Sequence, residues 1–131
     1  ITCHRAFDMT RDPFEALDAL IALGIDRVLT SGQADSVLLG APLIRNLITH
    51  AAGRIIIMPG HGIKEHNFAE AIRETGATEF HLYLPKQVPT VMQFMRSDVK
   101  MGKPELSEYS TTLIDVEKIK IAKKILQTQT T

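Results

Sequence analysis

The chain has 131 residues, 44% of them hydrophobic, and its 15 basic and 15 acidic side chains cancel. That composition describes one ordinary globular domain, and the balanced charge excludes the electrostatic footprint of a nucleic-acid or anionic-membrane binder. The longest apolar runs, such as "RIIIMPG", fall far short of the roughly 20 residues of a membrane span, and no signal-peptide pattern is recognisable. A single cysteine, Cys3, excludes an internal disulfide and fits a reducing compartment, so a cytoplasmic protein is expected.

The first segment, "ITCHR", is strand-like from its first residue and has no polar lead-in or cap. Termini usually fray in solvent, so this start predicts that a leader has been removed or that the chain is part of something longer. "DPFEALDALIALG" then reads as a helix, with Asp12 as N-cap, Pro13 in the first turn, Glu15 at the capping-box position and Gly24 as stop. A second strand, "RVLTSG", leads to a helix over "APLIRNLITHAAG", whose apolar stripe is Leu43, Ile44, Leu47, Ile48 and Ala51. "RIIIMPG" is the third strand, and "EHNFAEAIRETG" a helix burying Phe68, Ala69 and Ile72 and ending at Gly76. "EFHLYL" is the fourth strand. The strands read as continuous apolar runs, as in a parallel sheet covered on both faces. From 85 to 114 the chain shows three prolines and no sustained period, which predicts a long loop. A last helix, 115–127, has Asp115 as N-cap and Val116, Ile119, Ala122 and Leu126 on one face, and the tail "TQTT" is expected to fray.

The four strand starts, Ile1, Arg27, Arg54 and Glu79, recur about every 25 to 27 residues, the length of one βα unit. Equal spacing without a Gly-rich dinucleotide fingerprint favours an α/β (βα)8 TIM barrel over an open doubly wound sheet. Four units cannot close a barrel. The expected architecture is a C-terminal half-barrel of four parallel strands within a single domain, 1–131, leaving 1–5 and 80–84 as unpaired edges and an open concave face.

Functional groups of such a barrel lie where strands run into helices. Here those positions hold Arg5 and Asp8, then Thr30, Ser31 and Gly32, then Pro59 to Gly62, and finally His81 with Tyr83. An arginine set under apolar helices would lose water without a partner, so Arg5 is expected at the barrel mouth, paired with Asp8. That pair either clamps an anion, with Asp8 or His81 as acid or base, or only orders the rim. In "MPGHGI" the backbone near Gly60 and Gly62 can approach an anion, or the glycines serve a tight turn. Ser31 and Gly32 are candidates for the same anion. Arg5 and the Gly60–Gly62 loop are expected at opposite edges of the arc. Ser31 lacks the G-x-S-x-G context of a nucleophile elbow.

A metal site is not assignable from spacing: the histidines at 4, 50, 61, 66 and 81 show no i, i+4 pair and no His-x-His. Met92, Met95 and Met101 offer thioethers suited to Cu(I), or simply fill gaps. Cys3 reads as a small buried hydrophobe, with Arg5 close enough to leave reactivity open.

With "HRAFDM", "RVLTSG", "RIIIMPG", "GATEFH" and "EYS" in order, the sequence resembles the CutC copper-homeostasis family. "DPFEALDALIALGIDRVLTSG" is similar to that family's stretch after its fifth strand, and "VMQFMRSDVKMG" to its late loop. The resemblance implies a (βα)8 barrel about twice this length, with Ile1 in the fifth strand. It also implies copper as the ligand or cofactor and a homo-oligomer of the full-length protein. Where the family turn reads "GGGI" this chain reads "GHGI", so His61 replaces a glycine. Beside copper homeostasis, the residues support a second reading, an enzyme acting on a small phosphorylated or carboxylated metabolite.

Overall fold

From Thr2 to Thr75 strands and helices alternate in the computed structural model, which describes residues 1–96, 98–103 and 107–129. Strands β1 (Thr2–Cys3), β2 (Arg27–Thr30) and β3 (Ile56–Pro59) form a parallel sheet in sequential order. Its register sets Cys3 beside Val28 and Val28 beside Ile57. A short 3-10 turn, Arg5–Met9, follows β1, and helices α1 (Pro13–Ala22), α2 (Val37–Ala51) and α3 (Phe68–Thr75) complete the three units.

The helices start and stop for the local reasons written in the sequence. The Asp12 carboxylate accepts from the Phe14 and Glu15 amides at 2.9 and 3.1 Å, and Pro13 occupies the first turn where its missing N–H costs nothing. Gly76 ends α3 in the left-handed conformation. Helix α2 begins a turn earlier than expected, at Val37, with the Ser36 hydroxyl as cap and Pro42 inside it. Burial of Val37 and Gly40 against the rest of the fold outweighs the break that Pro42 suggests in the sequence. In α3 the buried residues are Phe68, Ala71, Ile72 and Thr75, with Ala69 only half-buried.

Side chains alternate across a strand, and burial follows that alternation. Val28, Thr30, Ile57 and Pro59 are buried beneath the helices, whereas Arg27, Leu29, Ile56 and Met58 on the other face are half-buried. Among the described residues the sheet is buried on one face and half-buried on the other, less than the two-sided covering that its apolar runs suggested. Phe7, Leu17, Val28, Ile44, Leu47, Ile57 and Phe68 form the centre of the core. On the opposite face Arg27 Nε meets Glu79 Oε2 at 2.7 Å.

Two expectations need correction. The fourth parallel strand shrinks to one parallel bridge, Gly60 with His81, marked by the His81 amide donating to the Pro59 carbonyl at 2.9 Å. Among the described residues this segment has a neighbour on one side, and it runs into Pro85, which has no N–H to extend a ladder. The region 85–114 is not all loop: β4 (Pro85–Pro89) and β5 (Ser110–Ile114) pair antiparallel as a separate two-stranded sheet. The prolines at both ends of β4 hide it from pattern reading, while β-branched Thr111, Thr112 and Ile114 favour β5. Between them the Tyr109 hydroxyl accepts from the Arg96 amide and donates to the Arg96 carbonyl, both at 2.7 Å. Helix α4 (Val116–Gln129) is capped by Asp115 as expected and extends two residues beyond the anticipated end. Of its predicted face Ala122 is buried and Leu126 half-buried, while Val116 and Ile119 stay exposed. The expected fraying of the tail concerns in part residues 130–131, which lie outside the described residues.

Phe68 anchors α3 in the core, with its ring edge-on to Phe80 at a centroid distance of 5.1 Å and 2% of its surface exposed. Phe68→Ala is expected to lower stability by about 3–5 kcal/mol, read as a fall in the urea midpoint at unchanged slope. A change under about 1 kcal/mol would mean that this contact is not central to the core.

Candidate functional site

At the carboxyl ends of the strands the side chains gather in two layers. The inner layer centres on Asp8. The 3-10 turn after β1 is capped by His4, whose ring accepts from the Ala6 amide at 2.9 Å, and is pinned by buried Phe7. One turn of this helix brings Arg5 and Asp8 to the same side, and Arg5 Nε donates to Asp8 Oδ2 at 2.8 Å. Loop 30–34, after β2, closes on the same carboxylate. The Thr30 hydroxyl donates to Oδ1, the Ser31 amide lies 3.0 Å from Oδ2, and the Gln33 amide donates to Oδ1 at 3.1 Å. The Ser31 hydroxyl lies 3.0 Å from Asp8 Oδ2 and 2.6 Å from the Ala34 carbonyl, and it accepts from Arg5 Nη2 at 2.7 Å.

Asp8 is therefore saturated. Its side chain is only 7% exposed and its lone pairs are committed to fixed donors. Burial pushes this carboxyl up, but the Thr30 hydroxyl, the Arg5 guanidinium and the Ser31 and Gln33 amides outweigh it and hold it below its ordinary 3.8. A carboxylate so placed anchors loops. Ser31 and Gly32 share that part: Ser31 is fully buried, and the Gly32 amide donates to the Thr30 hydroxyl at 2.9 Å. The loop also lies flush on α2, because a Cβ on Gly40 would sit 1.9 Å from the Ser31 carbonyl oxygen and one on Gly32 would sit 2.3 Å from that of Gly40.

The outer layer is a cleft of about 390 Å³ lined by Arg5, Leu29, His61, Lys64, His81 and Tyr83, with Gly60 to Ile63 forming one wall. Arg5 is in both layers: Asp8 and Ser31 hold two of its nitrogens, and its side chain is still 37% exposed toward the cleft. Arg5 and the Gly60–Gly62 loop were expected at opposite edges of the arc, yet they line one cleft, because the guanidinium reaches past Leu29 of the intervening strand. The loop itself is tied at three points. The Gly60 amide donates to the Thr30 carbonyl at 3.0 Å, Val37 N–H to the His61 carbonyl at 3.1 Å, and the Asn67 side-chain amide to the Gly62 carbonyl at 3.0 Å.

Of the candidates read from the sequence, Arg5, Gly60, Gly62 and His81 meet at the cleft, while Asp8, Ser31 and Gly32 lie behind it. Lys64 and Leu29 escaped sequence reading. Lys64 follows the glycine turn directly, and a cation next to a backbone loop suited to anions was the signal available.

The comparisons with known proteins fall on this same part of the chain. The model of the CutC family matches residues 1–85, which carry both layers. The chain belongs to the CutC family. A CutC family protein of Parabacteroides distasonis is 50% identical over 121 residues, 92% of this chain and 50% of that protein. The human copper homeostasis protein cutC homolog is 47% identical over 131 residues, 96% of this chain and 48% of its own length. The chain thus spans about half the length of the curated relatives it matches. A crystal structure of a CutC protein from Streptococcus agalactiae superposes with a TM-score of 0.58 at 32% identity, covering 61% of this chain and 40% of that one.

The copper suggested by those names finds a poor donor set in this CutC chain. Among the described residues no three His, Cys, Asp or Glu side chains converge as metal ligands. Cys3 is half-buried against the core, and its thiol lies 3.6 Å from the His4 carbonyl oxygen. The exposed Met92, Met95 and Met101 lie far along the chain in the β4–β5 connection, and the two histidines of the cleft share it with Arg5 and Lys64, which repel a cation. The described residues do not fit a copper centre of their own.

Asp8→Asn is expected to cost about 1.5–3 kcal/mol at pH 7, since it removes charge-assisted bonds from a nearly buried site. The Asp8 carboxyl is held below 3.8 in the folded state. Its stabilisation is therefore complete above that value and is lost as pH falls through the lowered folded value. The difference between wild type and variant should be constant from neutral pH down to about 5 and close below about 4. A gap that persists undiminished in acid would show that the ionised carboxylate is not what holds the loops.

Proposed function

We propose that this CutC chain forms part of the mouth of a (βα)8 barrel and that its cleft binds a small phosphate or carboxylate. The convergence of Arg5 and Lys64 on one cleft walled by the Gly60–Gly62 loop carries the reading. Arg5 clamps the anion with a guanidinium already oriented by Asp8 and Ser31, which reduces the ordering cost of binding. Lys64 adds a mobile positive charge, and Gly60 and Gly62 let the loop approach closely. Leu29, Ile63 and Tyr83 give an organic body something apolar to rest on. Asp8, Ser31 and Gly32 are positioning residues. Copper homeostasis, taken from the names of the relatives, then runs through an anionic small molecule in a reducing cytoplasm that suits the free Cys3 thiol, with no copper ion held by these residues.

His81 favours a second reading of the same cleft. An imidazole beside a clamped oxyanion is placed for proton transfer, so an enzyme acting on a phosphorylated or carboxylated metabolite fits these residues too.

Calorimetric titration of the whole gene product with inorganic phosphate and with acetate tests the proposal, alongside competition with a Cu(I) chelator. At least one anion is expected to saturate, and Arg5→Lys to weaken it about tenfold, the equivalent of about 1.4 kcal/mol, because a lysine cannot serve Asp8, Ser31 and a ligand together. Absence of saturable anion binding, or tight Cu(I) binding that Cys3→Ser abolishes, would overturn it.

A further inference from the structure

His61 stands in a conformation that side chains avoid. Its φ is +95°, whereas the other positive-φ residues that are not glycine, Gln33 at +54° and Ala52 at +47°, lie close to the left-handed helical well. The turn around it is crowded. A Cβ on Gly60 would meet Leu29 Cδ1 at 2.6 Å, and one on Gly62 would meet Ser36 Cβ at 2.8 Å. The Gly62 position therefore excludes a side chain and the Gly60 position has little room for one, while the middle one carries a large ring in a backbone geometry suited to glycine. The ties from Thr30, Val37 and Asn67 hold the backbone of all three residues of the turn. Strain of this kind persists where surrounding structure over-determines it, and it concentrates at ligand sites.

The imidazole is not consumed by the fold. It is exposed, lines the cleft and takes part in no hydrogen bond or ion pair among the described residues. It also springs from next to the Gly60–His81 bridge, with His81 Cβ only 3.0 Å from where a Gly60 Cβ would stand, so two imidazoles flank one corner of the cleft. Arg5 and Lys64 already supply positive charge, and the cleft, at about 390 Å³, has room for an organic molecule. An uncommitted ring nitrogen there is suited to a hydroxyl or carbonyl oxygen.

We infer that His61 is a specificity-determining residue of the cleft, selecting small organic anions that carry a hydroxyl or carbonyl oxygen beside the charged group. The inference rests on the anion-site reading above. Its backbone strain is the stability cost of that contact.

The test uses the whole gene product with glycerol phosphate and inorganic phosphate as probes, together with thermal melting. Wild type should bind glycerol phosphate at least tenfold more tightly than inorganic phosphate. His61→Gly should raise the melting temperature by a few degrees, bring the ratio of the two affinities close to one, and leave inorganic phosphate within about threefold. These magnitudes follow from relief of a positive-φ side chain and loss of one polar contact. His61→Asn, which tolerates positive φ and keeps a donor and an acceptor, should restore part of the preference. A preference that survives in His61→Gly, or a melting temperature that does not rise, overturns the role given to His61 while leaving the anion site standing. Failure of wild type to bind either probe overturns this inference, and failure with acetate as well removes the anion site.

Discussion

Asp8 gathers Arg5, Thr30, Ser31 and Gln33 around one nearly buried carboxylate, and the loops after β1 and β2 keep their shape through it. Burying a charge is unfavourable unless it is fully paired and hydrogen-bonded, and here the backbone and side-chain donors of two separate loops meet that requirement. The constraint works in both directions. Without loop 30–34 the carboxylate would lack partners, and without the carboxylate the Ser31 and Gln33 amides and the Arg5 guanidinium would lose their common acceptor. The direction of Arg5 into the cleft is a consequence of this closure.

The sheet beneath assigns each residue a face by simple alternation. Val28 and Ile57 enter the core with Leu17, Ile44, Leu47 and Phe68, while Leu29 on the same strand as Val28 turns to the other side and lines the cleft. Arg27 and Glu79 pair on that same face at 2.7 Å. The residues that pack against the helices and those that face the cleft side are thus interleaved along the four residues of β2. The sheet orders the site through its register: Thr30 is level with Pro59, which puts the two loops that follow side by side.

Much of this was readable in the residues. Asp12-Pro13 announces α1, Gly76 ends α3 and Asp115 starts α4, because capping is a local matter between neighbours in sequence. The Arg5–Asp8 pair was also legible, since an arginine after a strand needs an acid nearby. Ser31 and Gly32 were placed at the right loop, but the sequence does not show that Asp8, more than twenty residues away, takes up the Ser31 amide, or that the Gly32 amide turns to the Thr30 hydroxyl. The start of α2 was obscured by Pro42, whose local penalty is outweighed by tertiary packing. β4 and the shortened fourth strand failed for a common reason. Strand pairing is decided by partners distant in sequence, and prolines on an edge conceal it.

Gly32 and Gly40 meet main chain to main chain, so neither clash described for them is relieved by trimming a neighbouring side chain. A replacement at one glycine cannot be rescued by a smaller residue elsewhere, because the obstacle is carbonyl oxygen and backbone carbon. Mutational drift is therefore closed at this seam, and a suppressor would have to move the whole of α2 away from loop 30–34. The cleft wall is different in kind. Lys64, His81 and Tyr83 project into open space and can change without touching the seam. The molecule separates rigidity from variety within a few residues: the frame that holds Arg5 is closed to side chains at the seam, and the groups that face it are free of that steric constraint.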